Sequence, residues 1–359
     1  MNRIIQFVLP FLVVISCAKD EVHVADTSYT DSKIIAAIDI SSYPEISESN
    51  PIFYDLEGKE SNFLDILKSN RVNTIRLRLW VNPEGEHSGF NEVKTFSRTL
   101  KTQGFKTWLT LHYSDTWADP AHQEIPMQWQ GLDFSRIKDS VFNYTKRVMT
   151  ELQPDYIQIG NEINSGLLHP YGDISKNPDN FKMLVNEGIT AVRAVSEETK
   201  IILHFAGMEG SDWFFNQVHT LDYDIIGLSY YPLWHGKSLN DLQTTIQSLG
   251  NTYSKDVLIA ETAYPFTLDW DDWTDNIVGS NNQLILPDYP ATREGQQNFI
   301  AQIRTIMNQV ENGLGFCYWG AELISWKGSE STEASPWENQ ALFDFNNKAL
   351  PAIHEFNTE

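Results

Sequence analysis

Two carboxylates in this chain stand where a reaction could use them. Glu162 follows Asn161 at the end of one short apolar run, and Glu261 lies inside another. Other polar residues crowd the ends of similar runs: Asp39, the string Arg76-Leu-Arg78-Leu-Trp80, the string His112-Tyr-Ser-Asp-Thr-Trp117, Ser229-Tyr-Tyr231-Pro232 and Tyr318-Trp319-Gly-Ala-Glu322. A pair of carboxyls flanking one bond is what glycoside hydrolysis requires. In a retaining pair the two stand about 5–5.5 Å apart, one as nucleophile and one as acid/base. A lone glutamate at a strand end is as readily a structural ion-pair partner. Two of them, each at the tip of an apolar run, favour chemistry.

The runs that carry these groups must set them around a common mouth. Eight such runs recur: Ile34 to Ser41, Val72 to Trp80, Lys106 to Ser114, Tyr156 to Glu162, Ile201 to Gly207, Ile225 to Pro232, Val257 to Tyr264 and Gly313 to Glu322. Helical periods lie between several of them. Glu60 to Asn70 places Phe63, Ile66 and Leu67 on one face, and Arg136 to Leu152 does so with Ile137, Val141, Tyr144 and Val148. Asn180 to Val195 and Thr292 to Asn312 repeat the pattern, the latter with Gly313 as expected C-cap. Near-continuous apolar strands alternating with helices imply a parallel sheet covered by helices. Eight units predict an α/β fold, a closed (β/α)8 TIM barrel with long βα loops in a single domain. A dinucleotide-binding sheet would need a glycine-rich turn after the first strand, and Asp39-Ile-Ser-Ser-Tyr43 has no glycine. In such a barrel the fourth and seventh strands occupy roughly opposed sectors, so Glu162 and Glu261 would face each other across the mouth.

Composition narrows the ligand. The net charge is −22 over 359 residues, which repels phosphates and anionic lipid and argues against nucleic acid or a polyanionic substrate. A neutral polymer is easier to reconcile with it. The chain holds 11 Trp; several stand at strand ends or in loops, where their flat faces could stack on sugars. A monomer is expected.

The resemblance is more specific than the carboxylate pair. The segments Asp39-Ile-Ser-Ser-Tyr-Pro44, Arg76-Leu-Arg-Leu-Trp-Val-Asn-Pro83, His112-Tyr-Ser-Asp-Thr-Trp-Ala-Asp-Pro120, Gln158-Ile-Gly-Asn-Glu-Ile-Asn164, Gly227-Leu-Ser-Tyr-Tyr-Pro232, Glu261-Thr-Ala-Tyr-Pro265 and Trp337-Glu-Asn-Gln-Ala-Leu-Phe-Asp344 resemble glycoside hydrolase family 53. That family comprises endo-β-1,4-galactanases acting on arabinogalactan, and the likeness runs from about residue 34 to 356. It implies Glu162 as acid/base and Glu261 as nucleophile, with no cofactor for catalysis. By the same resemblance Arg76 and Asn161 support the nucleophile and the sugar 2-hydroxyl. Asp39, His112, Asp119 and Tyr231 shape the substrate site, and Trp117 and Trp319 are stacking platforms. The implied ligand is β-1,4-galactan or a galacto-oligosaccharide. A mannanase or xylanase of the same clan is the alternative enzyme, and a non-catalytic glycan-binding protein the alternative from another class. One departure lies after the eighth strand. The family has Tyr-Trp-Glu-Pro there, whereas this chain reads Tyr318-Trp-Gly-Ala-Glu322.

Two further segments carry expectations. The loop Asp269-Trp-Asp271-Asp272-Trp273-Thr-Asp275-Asn276 alternates oxygen donors in a way that suits a hard cation. Some bacterial members of the family bind calcium there, and their pattern maps onto Asp269, Asp271, the carbonyl of Trp273, Asp275, Ser335 and Glu338. A solvated acidic loop is the plainer reading. At the N-terminus, Arg3 precedes an apolar run, Ile4 to Ile15, then Ser16-Cys17. Residues 1–16 read as a secretory signal and Val14-Ile-Ser-Cys17 resembles a lipoprotein box. Cys17 would then be acylated and residues 17–33 would tether a catalytic domain spanning 34–359, displayed as an outer-membrane lipoprotein facing outward. Lys19-Asp-Glu21 resembles a surface-export signal of the Bacteroidetes. Only Cys317 remains as a second cysteine, so no disulfide framework is expected.

Overall fold

The computed structural model describes residues 34–357. The expected leader, Cys17 and the tether lie outside the described residues.

Eight parallel strands close into one barrel. They are β1 (Ile35–Asp39), β2 (Thr74–Leu79), β3 (Lys106–Leu111), β4 (Tyr156–Ile159), β5 (Lys200–Ala206), β6 (Ile225–Ser229), β7 (Asp256–Thr262) and β8 (Gly313–Trp319). Each strand pairs with its sequence neighbours, and β8 returns to β1, Ala37 opposite Cys317. The expected runs all form, but each of the eight overshoots its strand at the C-terminal end. Those overhanging residues are the mouth of the barrel.

Strand periodicity explains the contents of the interior. Alternate residues point inward. At the lower end these are apolar: Ile35, Ala37, Trp108, Ile202, Ile225, Leu258, Ala260 and Cys317 form one buried cluster. Toward the mouth the same phase brings Asp39, Arg76, Arg78, His112, Gln158, His204 and Ser229, all buried. The outward residues, such as Ile75, Leu77 and Leu79 of β2, join the larger cluster beneath the helices.

Seven longer helices cover the strands: α1 (Phe63–Ser69), α2 (Phe90–Thr102), α3 (Phe134–Leu152), α4 (Pro178–Arg193), α5 (Ser211–Val218), α6 (Leu239–Tyr253) and α7 (Arg293–Gln309). On α3, Ile137, Val141, Tyr144, Val148 and Leu152 recur at helical spacing and are buried. Burying a side chain of that size contributes roughly 1.5–3 kcal/mol. Asp133 caps α3 by accepting from the Arg136 N–H, worth about 1 kcal/mol. The expected C-cap at Gly313 is corrected: α7 ends at Gln309 with Val310 as its extended cap, and Gly313 opens β8. Its role is close approach, since a Cβ there would lie 2.0 Å from the Met307 carbonyl oxygen. After β8 the last element among the described residues is a 3-10 turn, Pro351–Phe356. Just before it, Asn347 and Ala349 hydrogen-bond Tyr54 in the β1–α1 loop.

Candidate active site

Local backbone geometry aims the two carboxylates. Past β4, Gly160 takes φ +79, and a Cβ there would lie 2.4 Å from Ile163 Cγ2. Glu162 follows with φ +44, a left-handed conformation that a non-glycine residue holds only when its surroundings enforce it. On β7 the register against β6 slips between Leu228 and Ser229, so that Ser229 faces Glu261. Such a bulge re-aims a side chain. It follows Ala260, which points inward, and brings Glu261 to the mouth.

The nearest oxygens of Glu162 and Glu261 and one nitrogen of His204 all lie within 4.8 Å of one another. Two carboxylates and an imidazole that close form a group able to hold a metal ion. Arg76 already supplies a positive charge there. Its Nη2 lies 2.7 Å from Glu261 Oε1, and its Nη1 the same distance from Asp39 Oδ2. Nη2 also donates to Asn161 Oδ1 at 2.9 Å. Tyr231 OH donates to the other Glu261 oxygen at 3.1 Å.

The two carboxyls therefore differ. Burial, and then the negative charge of Glu261, push Glu162 up to about 8. Burial pushes Glu261 up as well, but Arg76 and Tyr231 oppose it directly. Of the two, Glu162 is thus the better holder of a proton and Glu261, beside Arg76, the better holder of the charge, the division that acid/base and nucleophile need.

The remaining expected residues converge here with different employments. Asp39 is fully engaged, by Arg76 and by the Ser41 N–H and hydroxyl. Asn161 donates to the Ala118 carbonyl, locking the β3 loop against β4. His112 accepts the Ala118 N–H at Nδ1. Burial and the two neighbouring arginines hold His112 well below its ordinary pKa, so it is neutral and presents Nε2–H as a donor. Asp119 turns its carboxylate onto the Ala121 and His122 N–H groups and serves its own loop first. These residues line a cleft of about 790 Å³ together with Trp117, Trp319, Trp234 and Trp337. Ring centroids along its rim are 5.6 Å apart for Trp80 and Trp117, 6.1 Å for Trp117 and Trp319, and 4.5 Å for Trp319 and Trp337. Arg78 backs Trp117 at 4.1 Å, which leaves the other face for a sugar.

The sequence reading missed Gln158, His204, Ser229, Trp234 and Trp337. Ser229 stood inside a quoted motif without a role. His204 was detectable as the one polar side chain in the apolar run Ile201 to Gly207.

The family's sequence profile, described as Glycosyl hydrolase family 53, matches residues 35–356. The chain belongs to that family. It is therefore a glycoside hydrolase. It is 35% identical over 343 residues to a Niallia circulans protein described as uncharacterized, covering 90% of this chain and 93% of that one. It is 32% identical over 359 residues to a Cellvibrio japonicus protein named Arabinogalactan endo-beta-1,4-galactanase, covering 94% of each. Among solved structures, an Ignisphaera aggregans GH53 catalytic domain superposes with a TM-score of 0.85 at 36% identity, covering 90% of this chain and 96% of that one.

The acidic loop after β7 is tied to the loop after β8. Glu338 Oε1 accepts from the Asp271 N–H at 2.8 Å, and the Trp273 N–H donates to Ser331 O. The six expected cation ligands are not gathered round one point. Asp269 and Asp275 are exposed, the Asp269 carboxylate accepts from Thr267, and Ser335 Oγ accepts from the Trp337 N–H. Asp271 is held by the Ser325 hydroxyl. Two buried oxygens do lack a donor, Glu338 Oε2 and Asp272 Oδ2. Burial and the charges of Asp272 and Asp271 push Glu338 up to about 7.

Proposed function

We propose that this family 53 hydrolase is an endo-acting, retaining β-1,4-galactanase working on the galactan of arabinogalactan. The observation that carries the mechanism is the close carboxylate pair with a guanidinium on Glu261 and, among the described residues, none at hydrogen-bond distance from Glu162. Spacing of that order suits direct attack better than an interposed water, which needs about 6.5–9.5 Å. Glu261 attacks C1, and the C1–O bonding pair leaves with the aglycone, which takes the proton of Glu162. Water then attacks C1, gives its proton to Glu162 and frees Glu261 as carboxylate. The galactan reading is supported by the name of the Cellvibrio relative, by the tryptophan-rimmed cleft, and by a net charge of −22 that disfavours a polyanionic substrate. Digestion of galactan, mannan and xylan, with proton NMR of the first product, tests the reading. Galactan is expected to yield β-anomeric oligosaccharides. An α-anomer first would refute retention, and release from mannan or xylan alone would refute the substrate.

Two companion readings go with it. A calcium ion at the loops after β7 and β8 would give the two orphaned buried oxygens, Glu338 Oε2 and Asp272 Oδ2, a partner, and would need Asp269, Asp271, Asp275, Ser335 and the Trp273 carbonyl to close in around it. When bound it would supply structural charge neutralisation away from the reacting pair. Adding calcium should raise the melting temperature, by a few degrees at about 100 times the dissociation constant, and chelator should reverse it. Equal melting in both would remove the ion from the account. The second reading is a lipid anchor on Cys17. Cys17→Ala should shift the enzyme from the membrane to the soluble fraction, or halt it as precursor, with catalysis intact. Unchanged fractionation would exclude the anchor.

A further inference from the structure

Ser229 and His204 have no task in the two steps just described, yet both sit against the acid/base. His204 is fully buried inside the barrel on β5. The backbone N–H of Glu162 donates to its Nδ1 at 3.3 Å, and Gln158 Nε2 lies 3.0 Å from the same atom. Gln158 is itself oriented, because its Oε1 accepts from Arg76 and its Nε2 donates to Gly160 O. Asn161 Oδ1 also lies 3.2 Å from Nδ1, but it already accepts from Arg76, and the Glu162 N–H gives Nδ1 the accepting role. A ring nitrogen that accepts bears no proton, so the hydrogen of this imidazole is on Nε2. Burial and then the Arg76 charge keep His204 neutral.

From there the chain of donors runs one way. Nε2 lies 2.9 Å from Ser229 Oγ and donates to it. The Ser229 hydroxyl must then direct its own hydrogen elsewhere, and Glu162 Oε1 lies 2.5 Å away. No other acceptor for that hydroxyl is found among the described residues.

We propose that Ser229 and His204 are positioning residues that decide which oxygen of Glu162 carries the catalytic proton. Oε1 is committed as acceptor from Ser229, so the proton sits on Oε2, the oxygen left for the glycosidic bond. In the first step Oε2–H gives its proton to the departing oxygen, and in the second Oε2 takes one from water. Gln158, His204 and Ser229 come from β4, β5 and β6, so three adjacent strands fix one proton. The inference rests on the reading of Glu162 as acid/base.

A donor to Oε1 favours the carboxylate more than the acid. Removing it raises the Glu162 pKa. The other groups facing Glu162 are Glu261 on β7, Arg76 on β2, Asp119 in the β3 loop, Tyr231 after β6 and the neutral His204; a Ser229 substitution leaves them in place.

The test titrates the glutamate carboxyls by carbon-13 NMR in the wild type, Ser229→Ala and Ser229→Thr, and follows kcat/KM against pH in each. In Ser229→Ala, Glu162 should titrate about one pH unit higher, and the alkaline limb of kcat/KM should move the same way. For poor leaving groups kcat should fall about 10-fold with KM little changed, and Ser229→Thr should restore both. An unchanged Glu162 titration in Ser229→Ala overturns the proposal. So does a threonine variant that melts like the wild type yet behaves like the alanine one. If the alanine variant does not fold, Ser229→Cys carries the same test with a smaller upward shift, and no shift there is equally fatal. The NMR titration needs no substrate, so an enzyme inert on galactan would refute the substrate reading while this inference is still decided.

Discussion

Glu261→Ala is expected to abolish turnover of every glycoside, however good its leaving group. Without the carboxylate no bond forms at C1, and protonation by Glu162 cannot replace it. Loss of a nucleophile from a group that acts as a unit costs on the order of 10⁴-fold or more. The fold survives, because Arg76 keeps Asp39 at 2.7 Å and Asn161 at 2.9 Å. Melting close to that of the wild type, together with absent turnover, is the expected pair of results. The vacated volume also admits a small anion beside Arg76. With an activated aryl galactobioside, azide should attack in place of the carboxylate and give the α-galactosyl azide. Substantial residual hydrolysis of galactan by the alanine variant would mean that Glu261 is not the nucleophile.

Glu162→Ala separates substrates by their leaving groups. A dinitrophenolate departs without a proton, so the first step proceeds with such a substrate, whereas a sugar alkoxide needs the proton and galactan turnover should fall about 10²–10⁴-fold. The second step loses its base, so the glycosyl-enzyme accumulates and azide should relieve it to the β-galactosyl azide. The pH dependence supplies an independent check. Glu162 works protonated and titrates at about 8, so wild-type activity declines as pH rises through that region. In Glu162→Ala the alkaline limb should vanish, since no acid remains to lose its proton. A uniform loss across leaving groups, or an alkaline limb unmoved by the substitution, would assign the acid role to another residue.

Much of this site was legible in the chain because strand residues obey a simple period. Once β2 is known to line a barrel, Arg76 and Arg78 must share its interior while Leu77 and Leu79 face the helices. The specific strings around Asn161-Glu162 and His112 to Pro120 did the rest. What was not legible has physical reasons. The bulge at Glu261 is a register slip between strands, and nothing in Ala260-Glu261-Thr262 announces it. His204 acquires its role only from Gln158 and Ser229 on neighbouring strands. Helices α2, α5 and α6 were absent from the expected set, although α6 buries Leu242, Ile246 and Leu249 at helical spacing. Gly313 illustrates the opposite error. A glycine after a helical period suggests a cap, but here close packing against Met307 requires it.

The pairing of β1 with β8 has a consequence for how the molecule is made. Ile35 to Asp39 meet partners at Gly315 to Trp319, nearly the whole chain away, and Tyr54 waits for Asn347 and Ala349. Joining contacts so remote costs loop entropy before it returns any packing, so closure is the slow, late event of folding. Until Gly313 and its successors exist, β1 and β7 present bare edges, the kind of surface on which chains stick to one another. The nascent barrel is thus most vulnerable just before β8 is made, and Gly313 to Trp319 act as the clasp that ends its exposure to neighbours.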